Sequence, residues 1–482
     1  MMRALARDTL IYGGAAIVSR GLSLILLPIY TRILSPGDYG VLDMVMVLGT
    51  FAILLVALEI TQALARFYGE TQDAAAKRRM ASTTLWFTVT AFAIVFAAAF
   101  AAAAPLAGWL LGTPAMAGPL RIGLAGIAVN GIFYLVQNQL RFELRSGAYA
   151  TISLVYAFSL AGFSITLGYG FGLGLVGVLW GQLAGAVAAA ALGLYLLRES
   201  YGLEFDRTLL RSMLAFSLPL VPSGLATFIT LYANRLLLNR LEGLDSVGIF
   251  GVGVRVAGAI ALLILGLQSA LTPLIYAHYR EPETPRQLAR LTEQFIALAL
   301  TCCLGLGILS WEILALFAER RYMGAAPLVL LLAPATLLGQ MSIFFPGIAI
   351  AKRTKLQLYI FLATAVATVG LNWLLIESTG LMGAAAATLL ASLLFIALWA
   401  WTSQRLYPIP VSWGRIGAGC ALFVVAAAAG LWLQSTGLPL LPLILAKGIL
   451  ILLFLAGTAA CGLLRPADLV QLGRRMTGRA AA

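Results

Sequence analysis

The stretch GLVGVLWGQLAGAVAAAALGLYLLRESYG, residues 174–202, decides the fold. Its 24 residues from Gly174 to Leu197 carry no charge, enough for a helix to cross a hydrocarbon core about 30 Å thick. A second copy lies 206 residues on, where Gly380-Leu381-Met382-Gly383 opens a run ending at Tyr407-Pro408. In both copies the first glycine precedes the tyrosine by 27 residues. Working outward in windows of about twenty residues, twelve more spans fall near 8–31, 38–68, 81–104, 118–141, 147–169, 213–239, 244–275, 291–317, 324–351, 356–377, 415–433 and 440–464. The expectation is an all-α polytopic membrane protein with about 14 transmembrane helices.

Six spans separate the two copies, and an even number preserves direction across the membrane. The halves therefore read as parallel repeats. A looser pair agrees: Tyr30-Thr31-Arg32 reaching Asp38-Tyr39-Gly40, and Tyr232 to Arg235 reaching Asp245 to Gly248. The expected organisation is a six-helix lobe over 1–200, a second over 201–410, and two further spans with a short basic tail over 411–482. Two lobes around a cleft is a transporter's geometry.

Composition points the same way. Of 482 residues, 61% are hydrophobic and 11% charged, where soluble domains are about a quarter charged. A water-soluble enzyme is excluded, and fourteen spans leave no room for a soluble domain. The net charge of +13 is not a nucleic-acid signal. With the N-terminus inside, 22 of the 32 Lys and Arg fall on the cytoplasmic side, five on the other and five within spans. That bias places both termini in the cytoplasm. The first apolar run, long and interrupted by Arg20 and Pro28, reads as a retained span rather than a signal peptide. Cys302, Cys303, Cys420 and Cys461 lie in apolar runs and suggest neither disulfide nor zinc. His278 is the only histidine and there is no Walker loop. No enzyme, metal or cofactor is expected.

Charges within spans are expensive and mark function or a buried partner. Arg20 stands mid-span, as does Arg255 among Gly248, Gly251 and Gly258. Glu59, Gln62 and Arg66 share one helical side, Asn130, Tyr134, Gln137, Asn138 and Arg141 form a second stripe, and Ser223, Thr227, Thr230 and Asn234 a third. Guanidinium groups in a cleft would pair bidentately with phosphate. Arg20, Arg66, Arg255, Asn130, Gln137 and Asn234 are the candidate substrate contacts, with Arg235 at the outer rim. Glu59, the deepest carboxylate, is the candidate for ion coupling. The competing reading is structural: Glu59 locks helices by pairing with an arginine, and Arg66 snorkels. Lys447, seven residues inside the last span, reads as snorkelling outward.

The run Ser19-Arg20 to Tyr39-Gly40, with Pro28-Ile29-Tyr30-Thr31-Arg32-Ile33-Leu34-Ser35-Pro36-Gly37-Asp38 between, resembles the opening of Wzx-type oligosaccharide flippases. These are the polysaccharide-biosynthesis branch of the MOP superfamily, which also contains the MATE transporters. Phe216-Ser217-Leu218-Pro219 to Gly224 is similar to that family's seventh span, although Asn234-Arg235 stands where many members read Asp-Arg. The resemblance implies two six-helix bundles that alternate in access. It implies translocation of undecaprenyl-pyrophosphate-linked oligosaccharide across the bacterial inner membrane for O-antigen, exopolysaccharide or capsule. Membrane lipids, a polysaccharide polymerase and a chain-length regulator are the implied partners, with no nucleic acid. The alternatives are a drug/cation antiporter of the same superfamily and a non-transporting scaffold of an export complex.

Overall fold

The computed structural model describes residues 24–464 and the isolated positions 11, 13, 14, 18, 21 and 22. Among the described residues all regular structure is helical, without a strand. The first unit gathers residues up to Val252 with Phe317–Tyr322 and Ala365–Ala384; the second gathers Gly253–Leu316, Met323–Thr364 and the chain from Ala385.

The first unit holds α1 (Leu27–Ile33), α2 (Pro36–Ala57), α3 (Ile60–Glu70), α4 (Ala74–Ala101), α5 (Ala103–Leu111), α6 (Ala117–Phe142), α7 (Ser146–Ile165), α8 (Gly174–Leu196), α9 (Arg207–Ser217) and α10 (Val221–Leu241). The chain passes into the second unit within α11 (Leu244–Ala257). There follow α12 (Ala261–His278), α13 (Thr284–Ile308), α14 (Ser310–Phe317), α15 (Ala326–Leu338), α16 (Gly347–Ile350), α17 (Thr354–Leu406), α18 (Trp413–Ser435) and α19 (Leu440–Ala460).

Twelve helical segments are long and apolar enough to cross a membrane among the described residues. Ten positions of the expected first span, 8–31, Arg20 among them, lie outside the described residues. The 53-residue α17 contains Gly380 at φ 57°, ψ −130°, a conformation open to glycine alone. That residue divides it into the two expected spans 356–377 and 380–404. Counted so, the helices match the expected second to fourteenth spans. Gly174, the partner of Gly380 in the repeat, also has a left-handed φ, of 52°. The repeated signal is thus one turn requirement met twice.

Local signals set the helix ends. Ser35 and Asp38 form a reciprocal capping box around Pro36 at the start of α2. Asp73 and Asp206 accept backbone N–H groups at the starts of α4 and α9. Gly177, Gly181 and Gly185 recur every fourth residue along α8, and a Cβ on any of them would strike the α7–Leu167 backbone. Close helix approach through small residues explains this glycine-rich run. The outer faces stay apolar: Leu441, Leu445, Ile449 and Leu452 of α19 are exposed, a stripe that lipid would cover.

Candidate functional site

In the first unit a cavity of about 560 Å³ lies between α2, α3, α6 and α10. Two apolar clusters hold its walls. Val47, Leu54 and Phe228 fasten α2 to α10, with Phe51 and Phe228 ring centroids 5.1 Å apart. Ile60, Leu64, Leu135 and Met213 join α3 to α6 and α9. What remains open is polar at intervals. Thr50, Glu59, Thr61 and Gln62 face Ser223 and Thr227, and Tyr134 and Tyr232 supply aromatic surface.

Glu59 owes its position to a break. Leu58 (φ 50°, ψ 36°) and Glu59 (φ 55°, ψ 22°) are both left-handed, a conformation costing non-glycine residues about 1–2 kcal/mol each. Two in succession end α2 and begin α3, with the Gln62 N–H donating to the Glu59 carbonyl at 2.9 Å. Broken helices within a membrane are tolerated where protein or an aqueous cavity meets the freed backbone. Glu59 is half-buried there. Gly224 lets α10 come close: a Cβ on it would lie 2.5 Å from Leu54 Cδ1 and 3.1 Å from Glu59 Oε1.

The other candidates fall elsewhere. Arg20 lies outside the described residues. Arg66 is exposed, pairing with Glu70 at 3.2 Å one turn on and lying 4.7 Å over the Phe216 ring. Arg235 is buried and does not line the cavity. Its Nε donates to Asp43 Oδ2 at 2.7 Å, and its Nη1 to the Leu231 carbonyl at 3.1 Å and Asn234 Oδ1 at 3.3 Å. Asn234 also accepts the Arg235 backbone N–H at 2.8 Å, and the carboxylate that meets Arg235 comes from Asp43 of α2. Asn130 lines a smaller cavity of about 200 Å³ that shares Thr50 and Ile53 with the first. Gln137 donates to Ser153 Oγ at 2.8 Å and ties α6 to α7. Arg255, in the second unit, is half-buried and engaged. Of the residues singled out in the sequence, then, Glu59 and Gln62 line the cavity, together with Tyr134 of the α6 stripe and Ser223 and Thr227 of the α10 stripe. Thr50, Thr61, Phe228 and Tyr232 had no distinguishing signal in the sequence.

One expectation is corrected outright. Lys447 does not snorkel: it is fully buried, and its Nζ donates to Glu312 Oε1 at 2.6 Å and Gln434 Oε1 at 2.5 Å. A carboxylate within reach removes the reason to extend toward water. No group of three or more His, Cys, Asp or Glu suited to a metal occurs among the described residues.

Residues 5–277 match the family model described as polysaccharide biosynthesis protein. No curated protein gives a significant sequence match. Among solved structures, the inward closed lipid II flippase MurJ superposes with a TM-score of 0.70 at 14% identity, over 91% of this chain and 96% of that one. An inward-facing multidrug-resistance MATE transporter of the MOP superfamily gives 0.66 at 16%, over 80% and 95%. A MOP-superfamily transporter from Pyrococcus furiosus, described as having a binding pocket of reversed polarity, gives 0.58 at 17%, over 85% and 96%. The fold is that of the MOP transporters.

Proposed function

We propose, from the premise that this chain belongs to the polysaccharide biosynthesis protein family, that it is a flippase moving a lipid-linked oligosaccharide across the membrane by alternating access. The proposed cargo is an undecaprenyl-pyrophosphate-linked repeat unit for a surface polysaccharide, and the proposed site is the bacterial inner membrane with both termini cytoplasmic. One observation carries the reading: the cavity of about 560 Å³ sets hydroxyls of Thr50, Thr61, Ser223 and Thr227, the Gln62 amide and the Glu59 carboxylate beside Tyr134 and Tyr232. Sugars present C–H faces and hydroxyl edges together, and aromatic rings with short polar side chains answer both. The cavity's polar groups therefore favour the glycan. Contact with the pyrophosphate remains the proposal for Arg20 and Arg255. A polymerase and a chain-length regulator are proposed as the partners that take the product.

A second reading has one observation of its own. Among the described residues the cavity lining includes Glu59 and no arginine, which suits a cationic drug and the antiporter class. Thermal shift of the purified protein separates the two. Stabilisation by an undecaprenyl-pyrophosphate-sugar analogue, with none by ethidium, is expected; the reverse result overturns the flippase reading. In cells, Thr227→Phe should block the cavity, abolish the surface glycan and leave the lipid-linked precursor inside at normal protein abundance.

A further inference from the structure

We infer that the second unit binds an anionic membrane phospholipid, with one acyl chain in an apolar groove and the phosphate on Arg405. The groove, about 600 Å³ in volume, is formed by α13, α15, the second half of α17 and α18. Leu300, Leu338, Ile396, Ala397 and Ile416 are typical of its walls.

Polarity enters at one end. There Gln404 is committed to the backbone of Ile409, accepting its N–H at 2.6 Å and donating to its carbonyl at 3.0 Å. Arg415, nearby on α18, is held by Glu293 at 3.5 Å. Arg405 has no acid within ion-pair distance among the described residues; its guanidinium lies 3.7 Å over the Trp401 ring, and the residue is exposed. A guanidinium held over an aromatic ring by a cation–π contact still has N–H donors to offer phosphate oxygens. Trp401 and Trp413 line the groove and are exposed, the residue type that settles where hydrocarbon meets headgroups.

The charge around this end is of one sign. Phe361, in the first half of α17, stacks on Phe395 and Trp399 in the second, with centroids 6.0 and 6.1 Å apart. The halves therefore run antiparallel, and exposed Lys352, Arg353 and Lys355 stand at the same end as Arg405. Such a basic margin favours lipids of net negative charge over zwitterionic ones.

Volume selects the chain. At roughly 30 Å³ for each water-sized group such as a methylene, an acyl chain of about 16 to 18 carbons needs about 500 Å³, and a C55 polyprenyl chain about 1,600 Å³. The groove suits the first. The inference is independent of what the protein translocates.

The test uses the full chain, purified in a neutral detergent and melted alone, with phosphatidylglycerol, with phosphatidylcholine or with a polyprenyl phosphate. Phosphatidylglycerol should raise the midpoint by about 3 °C or more beyond phosphatidylcholine. Ala397→Trp should remove the response to both phospholipids, and Arg405→Gln should reduce the phosphatidylglycerol response to that of phosphatidylcholine. A measurement on the unaltered chain stands beside these: phosphatidylglycerol should slow maleimide labelling of Cys420, which lines the groove, and leave exposed Cys461 unaffected. Equal shifts by the two phospholipids, survival of the preference in Arg405→Gln, or unprotected Cys420 would overturn the inference. A larger shift by the polyprenyl phosphate that Ala397→Trp removes would overturn it too, by giving the groove to a prenyl chain.

Discussion

The first unit buries Asp43 with Arg235; the second buries Glu312 with Lys447. The side chains of the first pair are 9% and 10% exposed, those of the second 13% and 0%. Burial is alike and satisfaction is not. Arg235 spends its donors on Asp43, Leu231 and Asn234, and its guanidinium lies 5.3 and 5.7 Å from the ring centroids of Tyr232 and Phe250. Gly251 of α11 closes over the Asp43 carboxylate, where an added Cβ would come within 3.3 Å of Cγ. Lys447 finds Glu312 and Gln434, but Glu312 Oε2 is buried with no hydrogen-bond partner. Unmet polar atoms in a low dielectric are costly. A closed network of this kind locks helices together, whereas an open one sets a charge into apolar packing at a net loss.

Removing one partner gives the largest expected effects. Arg235→Ala should cost about 3–5 kcal/mol, because Asp43 then remains as an uncompensated buried charge. Thermal or denaturant melts in detergent would check this, and a loss below about 1 kcal/mol would show that water reaches Asp43. Double replacement sharpens the contrast. Glu312→Leu with Lys447→Met should be neutral or stabilising by about 1–4 kcal/mol, since it also removes the orphaned oxygen. Asp43→Leu with Arg235→Met should remain below wild type, because Asn234 and the Leu231 carbonyl lose their donor. If both double variants melt alike, satisfaction does not distinguish the pairs. At the cavity, Glu59→Gln should leave the melting midpoint within about 2 °C while lowering transport in vesicles under an imposed proton or sodium gradient. An unchanged gradient response would reduce Glu59 to a polar wall. The smallest effect belongs to Arg66→Ala. Its pair with Glu70 is more than half exposed on both sides, so the change should cost no more than about 0.5 kcal/mol. A large transport defect from it would return Arg66 to the list of substrate contacts.

These pairs also mark where sequence reading reaches and stops. Helix number and length were legible because a bilayer demands about twenty apolar residues per span and almost nothing else produces them. The Gly174 and Gly380 signals were legible because a left-handed turn demands glycine. Glu59 stood out by its depth in the expected second span, and Ser223 and Thr227 as a polar stripe through helical periodicity. Pairing across the chain was not legible. Asp43 meets Arg235 across 192 positions and Lys447 meets Glu312 across 135, and a single sequence holds no record of such distances. Arg235 consequently read as a rim residue and Lys447 as snorkelling. The left-handed pair at Leu58 and Glu59 was equally invisible, because neither residue type favours that conformation.

The same pair of residues acts as a ruler. Were Leu58 and Glu59 right-handed, α2 and α3 would fuse into one straight rod from Pro36 to Glu70. At 1.5 Å per residue that rod would be about 50 Å long, well beyond a hydrocarbon core of about 30 Å. A span of that length must tilt steeply or push a polar end out of the lipid. Breaking it after Ala57 leaves a 22-residue crossing helix, about 33 Å long, and an 11-residue segment free to take its own direction. Any substitution that straightened the joint would therefore be felt at both ends of the helix, as a change in how deeply the chain sits in its membrane.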